Sequence, residues 1–298
     1  MPITVRYDDA KHKYWIDGEE VPSVTAILDA TLPKPALTWW GFRVGMATTM
    51  ELCKRGRVNW PTLTSLEFDR IKDNNPAEGE ALFMPNDKDR KKPRTVLEHH
   101  AILQRLHPNA IKDDAADRGT SIHEALVALG LGDMPSLKDF PPEDRPFVQA
   151  LCRWWLEHEP EFVLQEQIAA SKTHMYAGRF DLMVKYPGDD RVVLADLKTG
   201  KDVRPDSHYR QLMGYKVAWD EMQLELDEAE RITPERLQII NVRPTGDYVL
   251  GEGTGRVTPA IWLACVEQHR RVVEFEALQK APNPLPLPKS DEHLADAA

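Results

Sequence analysis

Asp181, Asp196 and Lys198 are the residues whose types and spacing could do chemistry. They lie in one stretch, Gly178-Arg-Phe-Asp-Leu-Met-Val-Lys-Tyr-Pro-Gly-Asp-Asp-Arg-Val-Val-Leu-Ala-Asp-Leu-Lys-Thr-Gly200, which reads as two strands around a Pro187-Gly188-Asp189-Asp190 turn. With Tyr186 facing Arg191, Asp181 falls directly opposite Asp196. Carboxylates placed so across a ladder repel each other unless something compensates. Lys198 joins Asp196 on one face by the period-two rule. Two acids converging with one amine can hold Mg²⁺ or Mn²⁺ through oxygen ligands and set a cation beside an attacking water. A surface hairpin on which a lysine bridges two acids, or a pairing slipped by one residue, accounts for the same triplet.

The rest of that face, Met183, Lys185, Val192 and Leu194, is largely apolar, and the other, Phe180, Leu182, Val184, Val193, Ala195 and Leu197, is wholly so. The hairpin therefore needs cover on both sides. Around it the pattern predicts an N-terminal hairpin over 3–7 and 13–16, with Asp17-Gly18 turning the chain afterwards and Ser23 capping a short helix. An amphipathic helix is expected over 36–54, where Trp39 and Trp40 suit either core packing or base stacking. Residues 55–95, broken by four prolines, read as an inserted polar segment with one short helix near 66–71. Helices are expected over about 95–106, 113–129 and 147–158. In the second of these, His123 borders the stripe of Ile122, Leu126 and Leu129, as a boundary residue or as a ligand.

Val163 to Ser171 reads as a strand in which Glu166 shares a face with Leu164 and Ile168. A carboxylate there needs a partner, the same metal or solvent at a sheet edge. Beyond the hairpin come a helix over 207–219, with Gln211 and Tyr215 on one face, strands near 237–242 and 247–251, a long helix over 259–279 and a disordered tail from 281.

Composition narrows the function classes. The chain has 298 residues, 42% of them apolar, and nothing approaches the ~18 consecutive apolar residues of a membrane helix. The first residues lack the layout of a signal peptide, so a cytoplasmic location, in a bacterial or phage-infected cell, is expected. Cys53, Cys152 and Cys265 stand too far apart for a zinc knuckle or a disulfide framework, and three thiols cannot supply an all-cysteine iron–sulfur cluster. Gly251-Glu-Gly-Thr-Gly255 lacks the lysine and the strand–helix context of a nucleotide loop and reads as a turn. Net charge is −10, unlike a general nucleic-acid binder, yet five bases crowd into Lys88–Arg94, and Lys198, Lys201, Arg204, Arg210 and Lys216 follow the hairpin.

The ordered set His123, Glu166, Gly178-Arg-Phe-Asp181, Asp196-Leu-Lys198-Thr-Gly200 and Gln211-Leu-Met-Gly-Tyr215 resembles the PD-(D/E)XK nuclease superfamily in its RecB-type exonuclease branch. Pro22-Ser-Val-Thr-Ala-Ile-Leu28 and Gly119-Thr-Ser-Ile-His-Glu-Ala-Leu126 are similar to stretches of the mitochondrial genome maintenance exonucleases and phage-encoded relatives. Phe180 stands where the superfamily name has proline, as is common in RecB-type members.

The resemblance implies an α/β fold, a restriction-endonuclease-like core with a central mixed β-sheet flanked by helices and N-terminal hairpin and helical additions. On this reading residues 1–54 form the N-terminal part, 55–95 the insertion, 96–280 the nuclease core and 281–298 the tail. It implies Asp181 and Asp196 as metal carboxylates, Lys198 as the group that positions or helps deprotonate the attacking water, and His123 and the Leu197 backbone carbonyl as further ligands. Glu166 approaches that ion or a second one, while Gln211 and Tyr215 steer Lys198 or the scissile phosphate.

The implied function is a Mg²⁺- or Mn²⁺-dependent DNA exonuclease, using no nucleotide and no iron–sulfur cluster, that acts on single strands or DNA ends in recombination, repair or phage DNA processing. A recombination or single-strand-binding protein is an expected partner. Two alternatives stand beside it: a non-catalytic module that binds DNA ends or a recombination partner, and a structure-selective endonuclease.

Overall fold

A computed structural model describes residues 4–9, 11–32 and 108–280. The helices expected over 36–54 and 95–106, the 55–95 insertion and the tail from 281 lie outside the described residues. Strands β1 (Val5–Asp8), β2 (Lys13–Ile16) and β3 (Glu19–Val21) form a small antiparallel sheet. Helix α1 (Val24–Thr31) follows, its N-terminus closed by the Ser23 hydroxyl, which accepts the Ala26 N–H at 3.0 Å. The described chain resumes with α2 (Pro108–Gly130), α3 (Arg145–His158), β4 (Glu161–Ser171), β5 (Tyr176–Tyr186), β6 (Asp189–Lys198) and α4 (Pro205–Gln223). It closes with β7 (Arg236–Val242), β8 (Tyr248–Glu252) and α5 (Pro259–Lys280). The expected hairpin is thus a three-stranded sheet, because Asp17 and Gly18 both take positive φ and turn the chain back into β3.

The larger sheet runs β4-β5-β6-β7-β8, antiparallel throughout except for β6 and β7, which pair in parallel. Parallel neighbours need a long crossover, and α4 supplies it. The sheet is therefore mixed and flanked by helices, an α/β fold. On one face α2 and α3 pack Ile122, Leu126, Phe147, Leu151 and Trp154 against Leu182, Val184, Val193 and Ala195. On the other, α1, α4 and α5 pack Val24, Ile27, Leu212, Ala218 and Trp262 against Met183, Leu194 and Ile239. Burial on both faces makes β5 and β6 the centre of the molecule, and each fully buried side chain there contributes on the order of 2 kcal/mol.

Two details of the hairpin differ from the pattern. Tyr186 pairs with Asp189, leaving a two-residue turn of Pro187 and Gly188 rather than four. Pro187 fixes φ near the negative value that primed hairpin turns exclude, and a register shift between Val184 and Tyr186 absorbs the mismatch. Beyond the shift the expected pairing is restored, with Val184 opposite Val193 and Leu182 opposite Ala195. Phe180, expected beside Leu182, instead packs among Met183 and Leu194 and meets Trp219 edge-on at 5.3 Å. The alternation breaks at Asp181, where the neighbouring strand also leaves regular geometry.

Among the described residues no helix is long and apolar enough to cross a membrane. Cys152 and Cys265 are unpaired thiols.

Candidate metal centre

The ladder between β5 and β6 ends at Leu182 and Ala195, one step before Asp181 and Asp196 would meet. There the Asp181 carboxylate accepts the Leu197 backbone N–H at 2.6 Å. On its other side, β4 and β5 pair Gln165 with Leu182 and Gln167 with Phe180, so Glu166 counts directly opposite Asp181. Glu166 has φ +50°, a left-handed conformation that glutamate rarely adopts, and this kink takes it out of the ladder. Strained backbone of this kind persists only where its surroundings enforce it. The two carboxylates therefore face each other at a local opening in the sheet.

His123 closes the group from α2. The buried stripe Ile122, Leu126 and Leu129 seats that helix on the sheet and carries His123, at the stripe's border, to the opening. Its Nδ1 lies 3.6 Å from Asp181 Oδ1 and 3.9 Å from Glu166 Oε1. Ligand atoms of His123, Glu166 and Asp181 all lie within 4.8 Å of one another, room for one cation among them. A nitrogen and carboxylate oxygens suit Mn²⁺ and Mg²⁺.

Asp196, an expected fourth ligand, stands outside that group. It is 1% exposed, and its Oδ2 forms an ion pair with Lys198 Nζ at 2.5 Å. The ammonium pairs with Asp196, whereas Asp181 faces His123 and Glu166. Leu197 reaches the group through its N–H. Gln211 and Tyr215, one turn apart on α4, are joined by a 2.8 Å hydrogen bond in which the Gln211 amide donates to the phenol oxygen. Tyr215 lines the cleft in front of the group.

Electrostatics follow from burial. Asp181 is pushed up to about 6, first by desolvation, against the attraction of His123 and with the repulsion of Asp196 added. Burial disfavours the charged form of His123, but the Asp181 carboxylate and a contact with Glu166 outweigh it and raise the imidazole above its ordinary value. Burial likewise opposes the charge on Lys198, and Asp196 followed by Asp181 outweigh it, so the amine is held above its usual range as an ammonium. Tyr215 is driven well up by burial, with Asp196 adding to it, and stays a neutral hydroxyl. Carboxylates crowded until one resists ionisation are what a bound cation would relieve, and in this respect the residues present fit a divalent metal.

The cleft measures about 660 Å³ and is walled by the N-terminal sheet (Tyr7, Asp9, His12, Tyr14), by Thr25, by α2 and by Arg179. Its N-terminal wall was not legible in the pattern, which showed a hairpin but not where it docks. A bridge between Ser23 and Ala177, with the Ala177 N–H donating to the Pro22 carbonyl at 3.1 Å, ties that wall to the start of β5. Arg179 could have been found, since alternation sets it on the face of Asp181. Gly178 has a plain reason for lacking a side chain: a Cβ there would lie 2.6 Å from the Tyr215 ring and 3.0 Å from Val24.

No family model matches the chain, and no curated protein sequence is similar to it.

Proposed function

We propose that the protein is a Mg²⁺- or Mn²⁺-dependent nuclease of the PD-(D/E)XK superfamily, a cytoplasmic exonuclease of the RecB-type branch acting on single-stranded DNA or DNA ends. The observation that carries this reading is the convergence of His123, Glu166 and Asp181 from three elements at the opening between β5 and its neighbours, with the Asp196–Lys198 ion pair on the adjoining strand. These are the residues that the motif resemblance selects, and they are otherwise far apart in the chain.

His123, Glu166 and Asp181 would hold the cation. When bound, it supplies positive charge against the negative charge that builds on a phosphodiester as it is attacked. Asp196 keeps Lys198 protonated and in place. Lys198, as an ammonium, orients the attacking water through hydrogen bonds and stabilises the growing charge, a positioning role rather than that of a neutral base. Tyr215, its hydroxyl held by Gln211, offers a neutral donor into the cleft beside Asp181.

Digestion of end-labelled linear and circular DNA, single- and double-stranded, in Mg²⁺ or Mn²⁺ tests the reading. Wild type is expected to degrade linear single strands and spare circles, which have no end. Asp196→Ala and Lys198→Ala should each lower the rate at least 100-fold, the scale of losing one charged transition-state contact, with melting temperatures that show both variants folded. Cleavage at the wild-type rate by both folded variants would remove the site assignment, and cleavage of circles would replace the exonuclease with an endonuclease.

A further inference from the structure

A polyanion entering the cleft meets Asp9, Glu124, Glu166 and Asp181 along its walls. Among the described residues lining it, Arg179 is the sole lysine or arginine. The cations expected to form a basic groove after the hairpin are otherwise engaged or elsewhere: Lys198 is bound to Asp196, Lys216 to Asp220 at 2.7 Å, and Arg210 lies against the Cys265 sulfur. Lys201 and Arg204 do not line the cleft. A bound divalent cation would offset part of the acidity, but a phosphodiester chain extends past one ion, and its neighbouring phosphate also needs a donor.

Arg179 is built for that contact. It is half-buried between the small sheet and β4, with Nε 3.0 Å from Glu166 Oε2 and one terminal nitrogen 3.4 Å from Asp9 Oδ1. The Tyr7 ring lies 5.3 Å from its guanidinium carbon, and the Tyr7 hydroxyl donates to the same Asp9 oxygen at 3.0 Å. These contacts fix the plane of the fork and use two of its nitrogens. A guanidinium carries five N–H donors, so unmade donors remain to meet phosphate oxygens in the cleft.

Resting on the nuclease reading above, we propose that Arg179 is a substrate-binding residue: its guanidinium, oriented by Glu166, Asp9 and Tyr7, grips the backbone phosphate of single-stranded DNA next to the one at the metal centre. The N-terminal sheet is then part of the substrate site. Because Glu166 contacts both the guanidinium and the metal position, cation and DNA meet at one side chain.

Arg179→Met, which keeps the length of the side chain without its charge, separates this role from a structural one. Binding of a fluorescein-labelled oligothymidylate is measured by anisotropy in Ca²⁺ across a salt series, Mn²⁺ binding by electron paramagnetic resonance, and turnover in Mg²⁺. The variant is expected to bind the oligonucleotide about tenfold more weakly, with KM raised and kcat nearly unchanged. Its plot of log affinity against log salt should be shallower by about 0.7, the contribution of one phosphate contact on a single strand. Mn²⁺ affinity should be equal or tighter, since Glu166 is released. Arg179→Lys should retain the wild-type salt slope and serves as the deciding variant if the methionine form melts early. An unchanged salt slope with weakened Mn²⁺ binding and lowered kcat would make Arg179 a holder of Glu166 and overturn the proposal. If wild type cleaves DNA and both variants match it, the proposal alone fails; if wild type neither binds nor cleaves DNA, the nuclease reading fails with it.

Discussion

Asparagine in place of Asp181 should make the metal-free protein more stable at neutral pH while abolishing its response to metal. The carboxyl is raised from 3.8 to about 6 in the folded chain, with burial the largest cause. A folded value above the unfolded one means that the folded state binds the proton more tightly. Stability without metal therefore declines as pH rises from about 4 to 6, and above that the full penalty of the buried charge persists. Two pKa units correspond to about 3 kcal/mol. The Asp181 side chain is 12% exposed, so solvent screens little of it. The value of about 6 already includes the attraction to His123; the buried asparagine amide offsets part of the gain, whereas its oxygen can still accept the Leu197 N–H. A net gain of about 1–2 kcal/mol at pH 7.5, a few degrees in melting temperature for a chain of this size, is the expected result. Scanning calorimetry in EDTA at pH 4.5, 6 and 7.5, repeated in millimolar Mn²⁺, measures it. Wild type should gain stability from Mn²⁺ by mass action and the variant should not. A variant that melts below wild type at pH 7.5 in EDTA, or that gains as much from Mn²⁺, would refute the claim that Asp181 is a charge held in waiting for a cation.

Gly178→Ala should cost about 1–3 kcal/mol, because its Cβ would meet the Tyr215 ring at 2.6 Å. Pairing it with Tyr215→Leu should recover part of that loss in a denaturant melt, and strictly additive losses would show that the clash is absorbed elsewhere. Ser23→Ala removes the acceptor for the Ala26 N–H and should cost about 1 kcal/mol in the same assay, a cost absent if solvent replaces the cap. Lys198→Gln should depress turnover without lowering Mn²⁺ affinity, since the ammonium is ion-paired to Asp196 and its charge competes with a cation for the attraction of Asp181; a parallel loss of Mn²⁺ binding would place Lys198 in the metal site itself.

What the sequence determined by itself was local and periodic. Alternation over Gly178–Lys198 dictated two strands needing cover on both faces, and helical spacing around Ile122 and Leu126 placed His123 at the edge of an apolar stripe. Ser23 announced a helix start and residues 207–219 a helix, which the structure extends to Pro205–Gln223, because caps and periodicity act over a few residues. Tertiary structure decided what depends on contacts between distant segments. The parallel register of β6 with β7, the kink at Glu166 that sets it against Asp181, and the turn of Phe180 toward Trp219 are not encoded in any short window. Nor was the partition of the two aspartates: spacing set Asp181 and Asp196 as equals across a ladder, but the ladder stops short, and the Lys198 ammonium takes one while His123 and Glu166 take the other. The docking of the N-terminal sheet, which makes a cleft around Arg179, likewise arises only when Ser23 and Ala177 meet. Residue type settles which chemistry a side chain can do, whereas burial and the nearest charge settle which state it does it in, and those exist only once the chain has folded.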